Sequence, residues 1–147
     1  VNIVELALRV VEQYRSATSR QISLETKQPA IAGTWDEDRL EQVLNNLVSN
    51  AIHYSPANTP VIMSIADQAD EVIVSVRDQG QGISEKDQAH IFDRFYRVHN
   101  KETSNVDGLG LGLYIASKLI IQHGGRMWLE SKLGKGSVFS FSLPLKK

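Results

Sequence analysis

Asn46, Asn50, His53 and Tyr54 fall at i, i+4, i+7 and i+8 of one stretch, so on a helix two amides, an imidazole and a phenol share one side. Asparagine is a poor helix former, and its recurrence here serves no packing need. Its amide carbonyl can ligate a hard cation and its NH₂ group can donate to phosphate oxygens. For this helix alone, a solvated flank of a core helix is the default reading. Asp78, followed by Gly80 and Gly82 in RDQGQGIS, sets a carboxylate at a strand end. There it can accept a hydrogen bond from an exocyclic amine such as that of adenine, and the glycines admit a flat ligand without a Cβ in the way. Taken singly, a surface turn would have the same composition.

The third candidate is DGLGLGL, Asp107 to Leu113. Gly108, Gly110 and Gly112 cost too much entropy for a strand and leave one face with nothing to pack. The run lacks the Lys-Ser/Thr ending of a P-loop and follows a polar loop rather than a strand, so the dinucleotide-fold turn also fails. What remains is a pliable loop feeding a helix N-terminus, where free N–H groups and the helix dipole favour a phosphate chain. Leu109, Leu111 and Leu113 would anchor it by burial, and a flexible hinge is the simpler alternative. The GKGS turn, Gly134 to Ser137, reads as a connector with a solvated Lys135. Phe92, Phe95 and Tyr96 read as core, with Arg94 and Arg97 beside them able to reach an anion.

These residues need elements to hold them. Ile3, Leu6, Ala7, Val10, Val11 and Tyr14 have amphipathic-helix spacing, with Asn2 and Glu5 as a cap pair. The stretch from Ile22 to Trp35 fits one or two strands. The second helix carries the stripe Leu40, Val43, Leu44, Leu47, Val48, Ala51 and Ile52, opens on a Thr34–Glu37 capping box and ends at Ser55-Pro56. The amide stripe borders this apolar one, about a quarter-turn away, where a pocket lip would lie. Strands are expected at Val61–Ala66 and Val72–Arg77, then a short helix from Ser84 carrying HIFDRFYRV, then a polar loop. A third main helix, Tyr114–His123, stops at Gly124-Gly125 and leads to two strands, RMWLESK and SVFSFSLPL. In the last, Phe139, Phe141 and Leu143 alternate with Ser140 and Ser142.

At 147 residues, 41% hydrophobic and 22% charged, the chain has the make-up of one soluble domain, and its apolar runs are too short to span a bilayer. A net charge of −1 argues against a generic nucleic-acid binder, so no nucleic-acid partner is expected. Without cysteine there are no disulfides or thiolate metal sites, and His53, His90, His99 and His123 are too scattered for a metal cage, although His99 and His123 could meet in space. The chain opens at Val1 without a signal-peptide pattern and reads as a piece of a longer protein.

In order, NNLVSNAIHYS, DQGQGI, IFDRFYRV, GLGLGL and GKGS closely resemble the ATP-binding catalytic domain of bacterial sensor histidine kinases, in the superfamily shared with gyrase and heat-shock chaperone ATPases. The resemblance spans about residues 1 to 145 and rests on five ordered motifs. It implies an α+β two-layer sandwich of the Bergerat type, with about three main helices on one face of a mixed, mostly antiparallel sheet, all of 1–147 forming one domain. It further implies ATP and Mg²⁺ as ligands. Asn50 resembles the metal ligand, with Asn46, His53 and Tyr54 lining the phosphate and ribose side. Asp78 resembles the adenine-selecting carboxylate, with Gly80, Gly82 and Ile83 beside the base. Residues 98–107 look like the ATP lid, Gly108, Leu109, Gly110, Leu111, Gly112 and Leu113 like its phosphate-binding hinge, and Arg97 like a γ-phosphate contact. By the same resemblance Asn50, Asn46 and Arg97 carry the catalysis. His53 departs from the lysine frequent at that place.

The reaction so implied is γ-phosphoryl transfer to a histidine nitrogen. None of the four histidines has the HELRTP-like context of the family's acceptor, so the partner is a separate dimerisation and phosphoacceptor domain of the same protein, with a response regulator downstream. The chain itself is expected to be a monomer and the intact protein a homodimer, its catalytic part in the cytoplasm whether or not a membrane anchor exists. A hydrolysing ATPase of the gyrase and chaperone kind is the main rival. Those relatives carry a glutamate base four residues before the metal-binding asparagine, where this chain has Asn46. A serine kinase of the anti-sigma type or a pure nucleotide sensor fits the full motif set less well.

Overall fold

The computed structural model describes residues 1–94 and 112–145. In chain order the elements are α1 (Ile3–Thr18), β1 (Ile22–Thr26), α2 (Glu37–His53), β2 (Val61–Gln68), β3 (Glu71–Asp78), α3 (Glu85–Gln88), α4 (Gly112–Gln122), β4 (Arg126–Lys132) and β5 (Gly136–Pro144). The strands form one sheet in the order β1-β2-β3-β5-β4. Only β1 and β2 run parallel; the remaining pairs are antiparallel.

The register explains the core. Met63 lies opposite Val76, Val76 opposite Phe139, Val74 opposite Phe141, and Val72 opposite Leu143, so each antiparallel pair turns its apolar set to the same face. All seven side chains are buried against α1, α2 and α4. Phe141 is fully buried at the centre, a burial that contributes about 1.5–3 kcal/mol. On the outer face Ser75 and Ser140 meet at 2.8 Å across β3 and β5. The outward serines are nonetheless covered: the Arg126 guanidinium donates to Ser142 Oγ at 3.2 Å and stacks over Trp128 at 4.8 Å.

α1 starts as its sequence predicts, with Asn2 Oδ1 accepting the Val4 and Glu5 N–H groups at 3.1 and 3.5 Å. α2 does not. Its cap is Asp36, whose carboxylate accepts the Arg39 N–H at 3.2 Å, so the Thr34–Glu37 box is not formed. A charged acceptor at the positive end of the helix dipole, two residues nearer the apolar stripe, is the stronger cap. Between β1 and α2 the second expected strand reduces to a single bridge, Asn2 to Ala32. HIFDRFYRV is not helical as far as it is described: α3 ends at Gln88 and turns follow through Arg94. Ile91 still reaches the core, and Phe92 meets Phe139 edge-on at 6.2 Å. No helix among the described residues is long and apolar enough to cross a membrane.

His123 serves the scaffold rather than a metal. Its Nε2 accepts the Asp36 N–H at 3.2 Å, which leaves the proton on Nδ1 for donation to Leu119 O at 2.7 Å. The ring thereby ties the end of α4 to the start of α2. His123→Ala is expected to lower stability by about 1–2 kcal/mol, the net value of two hydrogen bonds, read as a lower urea midpoint at unchanged slope. An unchanged midpoint would remove this tie from the account.

Candidate functional site

The stretch of α2 from Leu40 to Ala51 buries Leu40, Val43, Leu44, Leu47, Val48 and Ala51, and that burial fixes the rotation of the helix. Asn46 and Asn50 are then left half-buried at the border of the core and His53 exposed at its end. Asn46 is already engaged: its Nδ2 donates to Gly112 O at 3.2 Å. This bond ties the first turn of α4 to α2, and the chain is already helical at Gly112, ahead of the expected Tyr114. Asn50 O accepts the Tyr54 N–H at 2.9 Å, which closes α2.

Asp78 ends β3 beneath the last turn of α2 and is only 4% exposed. Gly80 N–H donates to its Oδ1 at 2.8 Å. Burial pushes the carboxyl up to about 6, against the opposing pull of the Gly80 and Ser137 backbone bonds and of the Arg20 charge. The carboxylate lies in a slot walled by Tyr54, Ile83, Ile91, Leu113 and Phe139. An apolar slot with one buried acceptor is what a flat base with an exocyclic amine requires. Its free volume of about 10 Å³ takes at most a water, so a base enters only as the walls part. Beside it opens a cleft of about 500 Å³ lined by His53, Tyr54, Ser55, Pro56, Gln79, Gly80, Gln81 and Gly134.

The two glycines also have a packing role within the fold. A Cβ on Gly80 would collide with the Tyr54 carbonyl oxygen, and one on Gly82, at φ +77°, with the Lys132 carbonyl oxygen. The loop after β3 is thus wedged between α2 and β4, and both glycines allow this close chain-on-chain approach.

Several supports were invisible in sequence. Ser131 Oγ accepts the Ile83 N–H at 2.8 Å, donates to Gly136 O at 3.0 Å and meets Ser137 Oγ at 2.8 Å. Gln88 Nε2 donates to Ile83 O at 2.6 Å and to Ser131 O at 3.1 Å. The GKGS turn therefore braces the slot: Gly134 N–H donates to Gln81 O at 2.6 Å, and a Cβ on Gly136 would strike Asp78 O. Sequence quoted this turn and undervalued it; nothing in sequence marked Ser131. Arg97, Gly108, Leu109, Gly110, Leu111 and the 98–107 segment lie outside the described residues.

Residues 35–147 match the family of histidine kinase-, DNA gyrase B- and HSP90-like ATPases. The chain belongs to this family. Sensor histidine kinase WalK of Bacillus subtilis is 45% identical over 114 residues, which are 76% of this chain and 19% of WalK. The chain thus spans about a fifth of that relative's length. Among solved structures, full-length ShkA in complex with AMPPNP superposes with a TM-score of 0.85 at 30% identity, over 98% of this chain and 30% of ShkA. Histidine kinase ThkA in complex with response regulator protein TrrA does so at 0.82 and 31%, over 99% of this chain and 41% of ThkA. The sandwich expected from the motifs is the fold of this ATPase family, here with α3 as a fourth, short helix.

Proposed function

We propose that the chain, taken as one unit over 1–147, binds Mg²⁺-ATP and presents its γ-phosphoryl group to a histidine on a separate dimerisation domain of the same protein. The observation that carries this reading is the buried Asp78 carboxylate in an apolar slot walled by Tyr54, at the end of α2, and by Leu113 of α4. Adenine fits the slot chemically: its amino group donates to Asp78 while Ile83, Ile91, Leu113 and Phe139 cover its faces and edges. The triphosphate then runs along α2 past Tyr54 and His53 towards Asn50 and the start of α4 at Gly112 and Leu113.

Asn50 offers a neutral oxygen of the hard type Mg²⁺ accepts, and one protein ligand with phosphate oxygens is a usual set for that ion. When bound, Mg²⁺ neutralises phosphate charge as it moves in the transition state. The histidine lone pair forms the N–P bond as the bridging P–O bond breaks, and the electron pair of that bond leaves with ADP. For this chemistry the chain binds, orients and excludes water; it needs no base of its own. Asn46 supports transfer over hydrolysis, since its amide cannot take a proton from water and is bonded to Gly112 instead. The likeness to WalK and to ThkA in complex with a response regulator supports a place in a two-component relay; homodimeric assembly of the intact protein and a cytoplasmic catalytic part belong to the same proposal.

The test is calorimetric titration with ATP, ADP and GTP, with and without Mg²⁺, followed by phosphate release on the same sample. Adenine-selective, Mg²⁺-assisted binding with negligible turnover is expected; rapid hydrolysis would point to the gyrase-like rival. Asn50→Ala is expected to lose the Mg²⁺-dependent part of ATP affinity, about tenfold or 1.4 kcal/mol, while melting as the parent does. Equal Mg²⁺ dependence in parent and variant would take the metal away from Asn50.

A further inference from the structure

Arg20 lies in the short link between α1 and β1, far in sequence from every motif of the site, and is only 8% exposed. The chain delivers it inward because Ser19 closes α1 in the left-handed region, at φ 59° and ψ 14°. Its Nη1 donates to Ile52 O at 3.1 Å, and its Nη2 to Ser55 Oγ at 2.8 Å and Thr59 O at 3.0 Å. Nε is buried without a partner. Among the described residues no acceptor of this guanidinium is a carboxylate, and its hydrogen bonds go to neutral oxygens.

A buried cation so held carries a desolvation penalty of several kcal/mol. Structure alone is a poor reason for it, because a neutral side chain could bridge the same loop more cheaply. Two features of its surroundings give a better one. The acceptors span residues 52–59, the segment that turns the chain after α2 and includes Tyr54, Ser55 and Pro56 of the cleft wall. The guanidinium charge also reaches Asp78 and favours its ionised form. Among the described residues the other ionisable groups near Asp78 are Tyr54, which shares the slot, and His53, which lines the adjoining cleft; β5 supplies Gly136, Ser137 and Phe139 there, none of them ionisable.

We propose that Arg20 is a positioning residue of the nucleotide site, which sets the shape of the cleft through residues 52–59 and balances the buried charge of Asp78. This rests on the nucleotide-site reading above. A fork of two nitrogens reaching three acceptors is a guanidinium geometry that a lysine cannot copy, whereas a lysine can copy the charge.

The two roles therefore separate in two variants of the 147-residue chain, studied by ADP calorimetry and by carbon-detected NMR titration of the Asp78 carboxyl itself. Arg20→Met is expected to weaken ADP binding about tenfold or more and to move the Asp78 midpoint upward. Arg20→Lys is expected to weaken ADP binding with the midpoint near its parent value. A scaffold role alone would lower the melting temperature of both variants and leave ADP affinity and the midpoint of the folded protein unchanged, which overturns the proposal. If Arg20→Met does not fold, Arg20→Lys decides: parental ADP affinity overturns the proposal and weakened affinity with an unmoved midpoint upholds it. Asp78→Asn is the control for the underlying reading. Parental ADP affinity in that variant removes the site and the proposal together, whereas lost affinity there with parental affinity in both Arg20 variants removes the proposal only.

Discussion

Asp78→Asn is expected to lose ADP affinity by about 100-fold, the value of a hydrogen bond to a charged acceptor, and yet to melt at a higher temperature than the parent at pH 7.5. The two effects share one cause. Burial raises the Asp78 carboxyl from 3.8 to about 6, so the nucleotide-free fold prefers the protonated acid. The folded state then binds the proton more tightly than the unfolded chain does. Its contribution to stability is full below about 3.8 and is lost as pH rises through about 6. Above that point the ionised carboxylate costs the fold up to about 3 kcal/mol. Asparagine keeps an oxygen for the Gly80 N–H and carries no charge, so it recovers part of that cost. A gain of about 3–6 °C at pH 7.5 is expected from about 1–2 kcal/mol, fading towards pH 4. The nucleotide sees the opposite sign: the adenine amine donates to the ionised carboxylate, so ADP affinity of the parent is expected to fall as pH drops below about 6. Scanning calorimetry at pH 4 and 7.5 with ADP titrations between them would read both. A variant that melts lower than the parent at pH 7.5, or parental affinity that holds steady to pH 5, would break the link between burial and function drawn here.

What the sequence revealed and what it hid divide by range. The periodicity of α2 placed Asn46, Asn50, His53 and Tyr54 on one border because helical repeat is local, and the alternation in β3 and β5 placed Asp78 at a strand end for the same reason. The cap of α2 was misread by two residues because Thr34 and Asp36 are both good caps and only the packed helix chooses between them. The expected start of α4 at Tyr114 is too late because glycine is a poor helix former, yet Gly112 is helical and bonded to Asn46 across the fold. Arg20 and Ser131 left no local mark at all. The Arg20 bonds cross 32 to 39 positions of chain and the Ser131–Ile83 bond crosses 48, and only the fold brings those positions together.

Gly80→Ala carries the other large expected effect, and it separates two reasons for a glycine. The backbone at Gly80 does not need a positive φ, so the residue is not required for conformation. It is required for space: an added Cβ would overlap the Tyr54 carbonyl oxygen, and it would lie 2.9 Å from Asp78 Oδ1 and 3.0 Å from the Tyr54 carbonyl carbon. Two of these three atoms are backbone at the end of α2, where the chain has little room to yield. Relief requires the helix end and the loop to separate, which loosens the Gly80 N–H bond to Asp78 and opens the slot wall at Tyr54. Overpacking of this kind costs about 1–3 kcal/mol, and the strained carboxylate bond adds about 1 more. ADP binding should fall with it, since the displaced atoms hold the adenine-facing carboxylate. Gly134→Ala is the matched contrast. Gly134 has φ +80° but nothing within 4 Å of an added Cβ, so only the left-handed backbone penalises alanine, by about 1–2 kcal/mol, and adenine selectivity should survive. Urea midpoints and ADP titrations on the pair decide the matter: a Gly80→Ala protein as stable as the parent, or one that is destabilised but binds ADP normally, would mean that the contact between α2 and the loop after β3 does not shape the site.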